Sequence, residues 1–147
     1  MSDFNFKDPQ ASVGLQFWKL YNKWQKRVTS ALLEYQVTHT QFVILASVAW
    51  FREQSVAPSQ SEIAKLTGIE KMTLSKAIVR LEKMSLIKRF KNESDTRAIS
   101  VSLTDKGLNI IPILIKIVER IDSEILTSQK RGCEKAFVHM ISDLNNS

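Results

Sequence analysis

Apolar residues recur at intervals of three and four along most of the chain, which is the spacing of one face of an α-helix. The pattern predicts a long amphipathic helix over residues 11–35 and a second helix over Gln41–Arg52 that is apolar on most faces. Two shorter helices follow, one opening at Ser59 and one running from about Lys71 to Met84. The order of these segments predicts a mainly α-helical protein.

The two short helices have the spacing of a helix-turn-helix. Ser59 and Glu62 are placed as a capping box, in which the two residues satisfy each other's free backbone amides. Ile63 and Leu66 are expected to face the core, and Gly68 supplies a left-handed stop for the first helix. The second helix begins almost at once, so we expect it to be the recognition helix, the one that lies in the major groove of DNA.

Two strands are predicted after the recognition helix, Leu86–Lys91 and Ala98–Leu103, with a polar turn between them. In the second strand we expect Ile99, Val101 and Leu103 to face the core and the intervening serines to face solvent. A hairpin in this position forms a wing. The predicted fold class is therefore mainly α with a small β-hairpin wing, a winged helix-turn-helix flanked by N- and C-terminal helices.

A further long helix is predicted over Leu108–Leu126 and a last one over Glu134–Leu144, with a break at residues 128–132. Pro112 is expected to bend the first of them near its start. That helix is apolar on several sides, and a chain of 147 residues has little left to cover it. A partner subunit is the simplest explanation.

Charge is concentrated in the middle third of the chain. The net formal charge is +6, and residues 61–106 hold ten Lys and Arg against six Asp and Glu. The last forty-one residues, by contrast, balance five cations with five anions. Because DNA phosphates attract clustered cations, the predicted winged segment is the first place to look for phosphate contacts.

Several classes of protein are disfavoured by what the sequence lacks. A single cysteine, Cys133, excludes an intramolecular disulfide and a multi-cysteine zinc site. The first ten residues, MSDFNFKDPQ, lack the apolar core of a signal peptide. The longest apolar stretch, Ile110–Ile115, is too short to span a bilayer. Without a phosphate-binding glycine loop or a nucleophile beside a base, no enzyme is indicated. We expect a cytoplasmic protein with no cofactor and no membrane partner.

Cys133 and the two histidines have competing interpretations. Basic neighbours, Arg131 and Lys135, make Cys133 a conceivable redox sensor, but an inert cysteine is the favoured interpretation. His39 and His139 are far apart in sequence and lack clustered ligand partners, so no metal site is expected.

The segment Ser61–Gly107 resembles the DNA-binding core of the multiple antibiotic resistance regulator (MarR) family. Three features in order carry the resemblance: SEIAKLTGIEKMTLSKAIVRLEKMSLIKRF, the wing sequence DTR, and the junction LTDKG. Two positions differ from the family pattern. Ser85 stands where relatives usually have glycine after the recognition helix, and Thr96 replaces the first of two wing arginines.

The resemblance implies one MarR-like domain over residues 1–147. Residues 11–53 and 107–147 would be core and dimerisation helices, and residues 56–106 the DNA-binding lobe. It implies a homodimer on a pseudo-palindromic operator, with a crevice for a small-molecule effector, and hence a ligand-responsive repressor. The alternatives are a winged-helix module that docks a protein instead of DNA and an activator without ligand response.

Ten residues are candidates for DNA contact. On the recognition helix, hydroxyl and cationic side chains on the outward side can reach base edges and phosphates: Lys71, Thr73, Ser75, Lys76, Arg80 and Lys83. On the wing, Arg97 is expected in a minor groove with Asp95 orienting its guanidinium. Lys88 and Arg89 are candidate phosphate contacts, although a solvated edge strand explains them almost as well.

An aromatic band lies in the first predicted helix. Trp18, Tyr21 and Trp24 are candidates for lining an effector crevice, and aromatic residues at helical spacing are also typical of a core. The sequence names no effector.

Overall fold

The computed structural model describes residues 2–127 and 133–147. These residues form six α-helices and one antiparallel hairpin: α1 (Val13–Leu33), α2 (His39–Glu53), α3 (Gln60–Thr67), α4 (Lys71–Lys83), β1 (Ile87–Lys91), β2 (Ile99–Leu103), α5 (Asp105–Asp122) and α6 (Cys133–Asn145). A π-helical turn, Ser123–Thr127, continues α5. The predicted fold class is confirmed, and the predicted break at residues 128–132 lies outside the described residues.

The chain divides into two compact units. The winged unit is Leu32–Ile117, and the terminal unit combines Met1–Ala31 with Val118–Ser147. The winged unit holds the whole segment from α2 to β2, together with the first part of α5.

The winged unit is built around α2, which contacts α3, α4 and β2. Ile44, Leu45 and Val48 of α2 are almost completely buried. Residues of the other elements complete this core: Ile63, Leu74, Ile78, Leu81, Leu86, Ile87, Val101 and Leu103. Full burial of each such side chain contributes about 1.5–3 kcal/mol, so this core fixes how α3, α4 and the hairpin are arranged.

Local capping sets the helix boundaries, as the sequence predicts. The Glu62 amide donates to Ser59 Oγ at 3.1 Å, and the Ser59 amide donates to Glu62 Oε2 at 2.7 Å, which completes the capping box. Gly68 ends α3 at φ 73°. Thr38 and Gln41 form a second capping box at the start of α2.

The burial pattern of β2 differs from the predicted alternation. Val101 and Leu103 are buried as expected, but Ile99 is 41% exposed and Ser100 is buried. The reason is that β2 has neighbours on both edges: Phe90 of β1 is the partner of Ser100, and a bridge to Ser59 lies on the other side. The apolar and polar pattern of a strand indicates on which face each residue lies. It does not indicate which segments flank the strand, so it does not predict that Ser100 is buried.

Leu66 also departs from its expected position. It is 52% exposed, whereas Ile63 of the same helix is fully buried. Thr67, one helical turn after Ile63, is half-buried and donates its hydroxyl to the Ile63 carbonyl at 2.8 Å. The inner side of this eight-residue helix therefore runs through Ile63 and Thr67, and Leu66 falls outside it.

The terminal unit is held by polar contacts from α1 to the end of α5 and to the π-helical turn that follows it. Trp24 Nε1 donates to Asp122 Oδ1 at 2.6 Å, and Arg27 pairs with Glu124 at 2.6 Å. Helix α5 continues through Pro112 without interruption. The predicted helix over Glu134–Leu144 is present as α6, and its large apolar side chains are mostly exposed.

Candidate nucleic-acid interface

Helix α4 presents a cationic face to solvent. Leu74, Ile78 and Leu81 anchor its other side in the core of the winged unit. Five of the predicted DNA-contacting residues of this helix are exposed: Lys71, Thr73, Lys76, Arg80 and Lys83. The sixth, Ser75, is half-buried and lies on the flank of the helix. Lys76, Arg80 and Lys83 thus lie together on the side of α4 opposite the buried residues, and Lys71 is exposed at the first position of the helix.

The first turn of α4 is capped by a carboxylate. Glu70 accepts hydrogen bonds from the Met72 amide at 2.9 Å, the Thr73 amide at 3.0 Å and the Thr73 hydroxyl at 3.3 Å. These bonds, led by those from the two backbone amides, hold the pKa of Glu70 below its ordinary value. The Met72 and Thr73 amides at this helix start are therefore already occupied, which leaves the exposed side chains of α4 as the groups available to a ligand.

The end of α4 is held by the LTDKG junction. Lys106 Nζ donates to the Met84 carbonyl at 3.0 Å, and Thr104 Oγ1 donates to the Ser85 carbonyl at 2.5 Å. These carbonyls follow the last turn of α4 and have no partner within the helix. The start of α5 thereby fixes where the recognition helix ends.

Ser85 adopts the left-handed conformation that the glycine of relatives would adopt. Its φ is 60°, a value that costs a residue with a side chain more than it costs glycine. The serine noted in the sequence therefore follows the helix in a left-handed conformation, with strain at one residue.

Gly107 is required by close packing at the same junction. A side chain there would collide with the Leu86 carbonyl oxygen, which accepts the Thr104 amide at 3.1 Å. The glycine of the LTDKG motif is thus explained by the approach of α5 to the chain leaving α4.

Arg89 joins the wing to the recognition helix. Its Nη2 lies 2.9 Å and its Nε 3.2 Å from Glu82 Oε1, and its amide donates to Glu82 Oε2 at 3.0 Å. Sequence reasoning placed Arg89 among the phosphate contacts. In the structure its guanidinium is engaged by a carboxylate of α4, so any phosphate would compete with Glu82. Lys88, its neighbour, is exposed.

The wing tip exposes Arg97 at a hydrogen-bonded turn. Asp95 Oδ1 accepts the backbone amide of Arg97 at 3.0 Å, and the Asp95 carbonyl accepts the Ala98 amide at 3.0 Å. Asp95 thus fixes the backbone of the turn, and its orienting role toward the Arg97 guanidinium stays a prediction. The Arg97 side chain forms no ion pair with the described carboxylates and extends from that turn.

Met72 is the residue of α4 that sequence reasoning left out. It is 64% exposed and lies one helical turn before Lys76, among the exposed polar side chains. The available signal was its spacing, because four residues separate neighbours on one side of a helix. Its apolar character led to its omission from a list of polar contacts.

The predicted effector residues lie in the terminal unit. Trp18 is 65% and Tyr21 45% exposed, and the rings of Tyr21 and Trp24 are 6.1 Å apart. Trp24 is half-buried and bonded to Asp122. The structure therefore offers Trp18 and Tyr21 as an accessible pair and gives Trp24 a packing role as well.

Three other features bear on the chemistry available. Within residues 2–127 and 133–147, no three His, Cys, Asp or Glu side chains are grouped as a metal site requires. No helix in the described part of the chain is long and apolar enough to cross a membrane. Cys133 is exposed at the start of α6.

Comparisons with known proteins match most of this chain. The family model described as ArnR1-like, winged-helix domain matches residues 33–121. A Bacillus subtilis (strain 168) protein, named an uncharacterized HTH-type transcriptional regulator, YdcH, is 34% identical over 117 residues, which are 80% of each protein.

Solved structures share the fold at lower identity. Bordetella bronchiseptica BpsR, whose DNA binding is regulated by 6-hydroxynicotinic acid, superposes with a TM-score of 0.84 at 21% identity, covering 97% of this chain and 99% of that chain. A mutant of E. coli MarR complexed with operator DNA gives a TM-score of 0.76 at 18% identity, covering 90% and 92% of the two chains.

Proposed function

Since the chain belongs to the MarR family of winged helix-turn-helix transcription regulators, we propose that it represses transcription by binding a pseudo-palindromic operator as a homodimer in the prokaryotic cytoplasm. Proteins of this family are DNA-binding regulators rather than enzymes. A repressor of this kind occupies a promoter and excludes polymerase from it.

The observation that carries the proposal is the exposed cationic side of α4 beside an exposed arginine at the wing tip, both within the winged unit. A recognition helix in a major groove places its outward side chains against base edges and phosphates. Lys76 and Lys71 are assigned to this contact, Arg80 and Lys83 to the flanking phosphates, and Arg97 to the adjacent minor groove. Thr73 and Ser75 are assigned to positions nearer the bases, although the Thr73 hydroxyl already donates to Glu70 at 3.3 Å.

The terminal unit supports the dimer. Helices α1 and α6 expose many large apolar side chains, which monomeric proteins usually cover: Val13, Phe17, Trp18, Val138, Met140 and Leu144. A second copy of the chain would remove most of this surface from water, with the ring of Trp18 at its edge left for the effector proposed below. Sedimentation equilibrium is expected to give twice 16.8 kDa. Leu144→Glu is expected to shift the mass toward the monomer, and Asn145→Glu, which adds the same charge at a polar position, is expected to leave it unchanged.

A small aromatic effector fits the exposed rings of Trp18 and Tyr21. The similarity to BpsR supports an aromatic acid, and 6-hydroxynicotinic acid is a suitable first probe. Two half-sites of an operator lie about 34–36 Å apart or a multiple of that distance, so a ligand that prefers a different lobe separation releases the DNA. Release of DNA by the probe is expected to be lost in Trp18→Ala and Tyr21→Ala.

The central experiment is fluorescence-anisotropy binding to the DNA upstream of the protein's own gene, at several salt concentrations and against scrambled competitor. Wild type is expected to bind tightly, resist the competitor and weaken as salt rises. Arg97→Ala is expected to weaken binding more than Lys23→Ala, which removes one charge from α1 in the terminal unit.

The alternatives give different results in the same experiment. Absence of binding even at low salt would favour a winged-helix module that docks a protein. Specific binding combined with increased transcription from the bound promoter would identify an activator. Binding that does not distinguish the upstream DNA from the scrambled duplex would contradict an operator at that position.

A further inference from the structure

Met72 stands apart from its surroundings on α4. It is a long apolar side chain, 64% exposed, in the first turn of the helix whose other outward residues are hydroxyls and cations. In helix-turn-helix proteins the N-terminal part of the recognition helix is the part that contacts base edges. Met72 therefore occupies a base-reading position with a side chain that cannot form the usual polar contacts.

The cap on α4 fixes this position in advance. The Met72 amide donates to Glu70 Oε1 at 2.9 Å, so the backbone that carries the side chain is held before any ligand arrives. The carboxylate also places a negative charge at the helix start, which opposes the approach of a phosphate to this turn. Both effects favour contact between Met72 and the floor of the groove over contact with the DNA backbone.

The neighbouring residues are less suited to an apolar contact. The Thr73 hydroxyl is engaged by Glu70 at 3.3 Å, which turns this side chain toward the cap. Val79 is half-buried in the middle of the helix. Met72 is thus the apolar group of α4 best placed to meet a base.

In the major groove, the exposed apolar group of the four base pairs is the 5-methyl of thymine. We propose that Met72 contacts a thymine methyl in each half-site and so determines specificity for thymine at that position. The inference rests on the proposed function, since it requires α4 to enter the major groove.

The test uses a duplex that wild-type protein selects from a random-sequence pool. Each thymine is replaced in turn by deoxyuridine, which lacks only the 5-methyl group. At one position in each half-site, removal of the methyl group is expected to lower the affinity about fourfold. This factor corresponds to the free energy of burying one CH₂ group. In Met72→Ala this loss is expected to disappear.

Two variants serve as controls. Met72→Leu keeps a large apolar side chain and is expected to retain the sensitivity to deoxyuridine. Leu66→Ala removes a comparably exposed apolar side chain from α3 and is expected to retain it as well.

Three outcomes would count against the inference. Equal deoxyuridine penalties in wild type and Met72→Ala would overturn it, as would a selected duplex with no sensitive thymine. A pool that yields no bound duplex would overturn the proposed function itself, and this inference with it.

Discussion

Glu82 of α4 and Arg89 of β1 are joined by three hydrogen bonds, two from the guanidinium and one from the backbone amide. The pair connects the last turn of the recognition helix directly to the first strand of the wing. Both side chains are about one-third exposed, at 32% for Arg89 and 37% for Glu82. The recognition helix and the wing, which share an apolar core, are therefore also linked by a polar contact that solvent and pH can reach.

Stability is expected to depend on the charge of Glu82. The hydrogen bond from the Arg89 side chain, followed by that from its amide, lowers the pKa of Glu82 from its ordinary value of 4.5. A lowered folded-state pKa contributes stability above the unfolded value, and this contribution is lost as pH falls through the folded pKa. The thermal midpoint of Glu82→Gln is thus expected to lie below that of wild type at pH 7, and the difference is expected to shrink below pH 4.5.

Glu119→Gln, which neutralises an exposed carboxylate of α5, is the control for this comparison. Its difference from wild type is expected to be small at all pH values. Because the wing is less firmly placed in Glu82→Gln, operator affinity is also expected to fall at pH 7. A wild-type-like midpoint at pH 7 would contradict the stabilising role of the pair.

Ser85→Gly is expected to stabilise the winged unit. The left-handed φ of 60° costs serine about 1–2 kcal/mol, and glycine avoids most of it at the expense of greater freedom in the unfolded chain. A net gain of about 1 kcal/mol in the free energy of unfolding is expected from urea denaturation. Ser85→Val should lower that free energy, because a β-branched residue tolerates this conformation poorly. Loss of stability in Ser85→Gly would show that the serine side chain itself is needed.

Gly107→Ala is expected to lower the free energy of unfolding by about 3 kcal/mol, the upper range for overpacking. The added methyl would overlap the Leu86 carbonyl oxygen, which is backbone and cannot move aside without losing the Thr104 hydrogen bond. Gly14→Ala is the matched control, since the nearest atom to a methyl there is Ser12 Oγ at 4.0 Å. That variant should gain about 0.5 kcal/mol from higher helix propensity. Equal effects of the two changes would contradict the packing argument.

Substitutions at Asp95 separate two roles for this residue. If Asp95 acts by fixing the turn, only its acceptor oxygen for the Arg97 amide is needed. Asp95→Asn keeps such an oxygen and removes a negative charge near DNA. Its operator affinity is expected to equal or exceed that of wild type, whereas Asp95→Ala, without an acceptor, is expected to bind several-fold more weakly. Weak binding by both variants would instead indicate that the carboxylate orients the guanidinium.

Local interactions explain why so much of the fold could be predicted from the sequence. The capping box of Ser59 and Glu62 joins residues three apart, and the stop at Gly68 depends on one dihedral angle. Apolar spacing likewise located the helices and the strands within a few residues. These features involve neighbours in the sequence, so the pattern alone is sufficient to predict them.

The candidate site was predicted in outline for the same reason. Lys76, Arg80 and Lys83 share one side of α4 because the helical repeat places them there, and Leu74, Ile78 and Leu81 turn the other side inward. The contacts that position the site were not predictable in this way. Lys106 reaches the Met84 carbonyl across twenty-two residues, and Arg89 reaches Glu82 across a change from helix to strand.

What the sequence by itself determined is which segments are helices and strands, which sides of them are apolar, and that a cationic recognition helix is followed by a wing. Only the tertiary structure decided which side chains are enclosed and which remain available. Ser100 is buried because a second segment lies along the far edge of β2, Leu66 is exposed because α3 packs through Ile63 and Thr67, and Arg89 is paired because the hairpin returns beside α4. Burial and pairing depend on segments distant in sequence, and periodicity along one segment contains no information about what covers it.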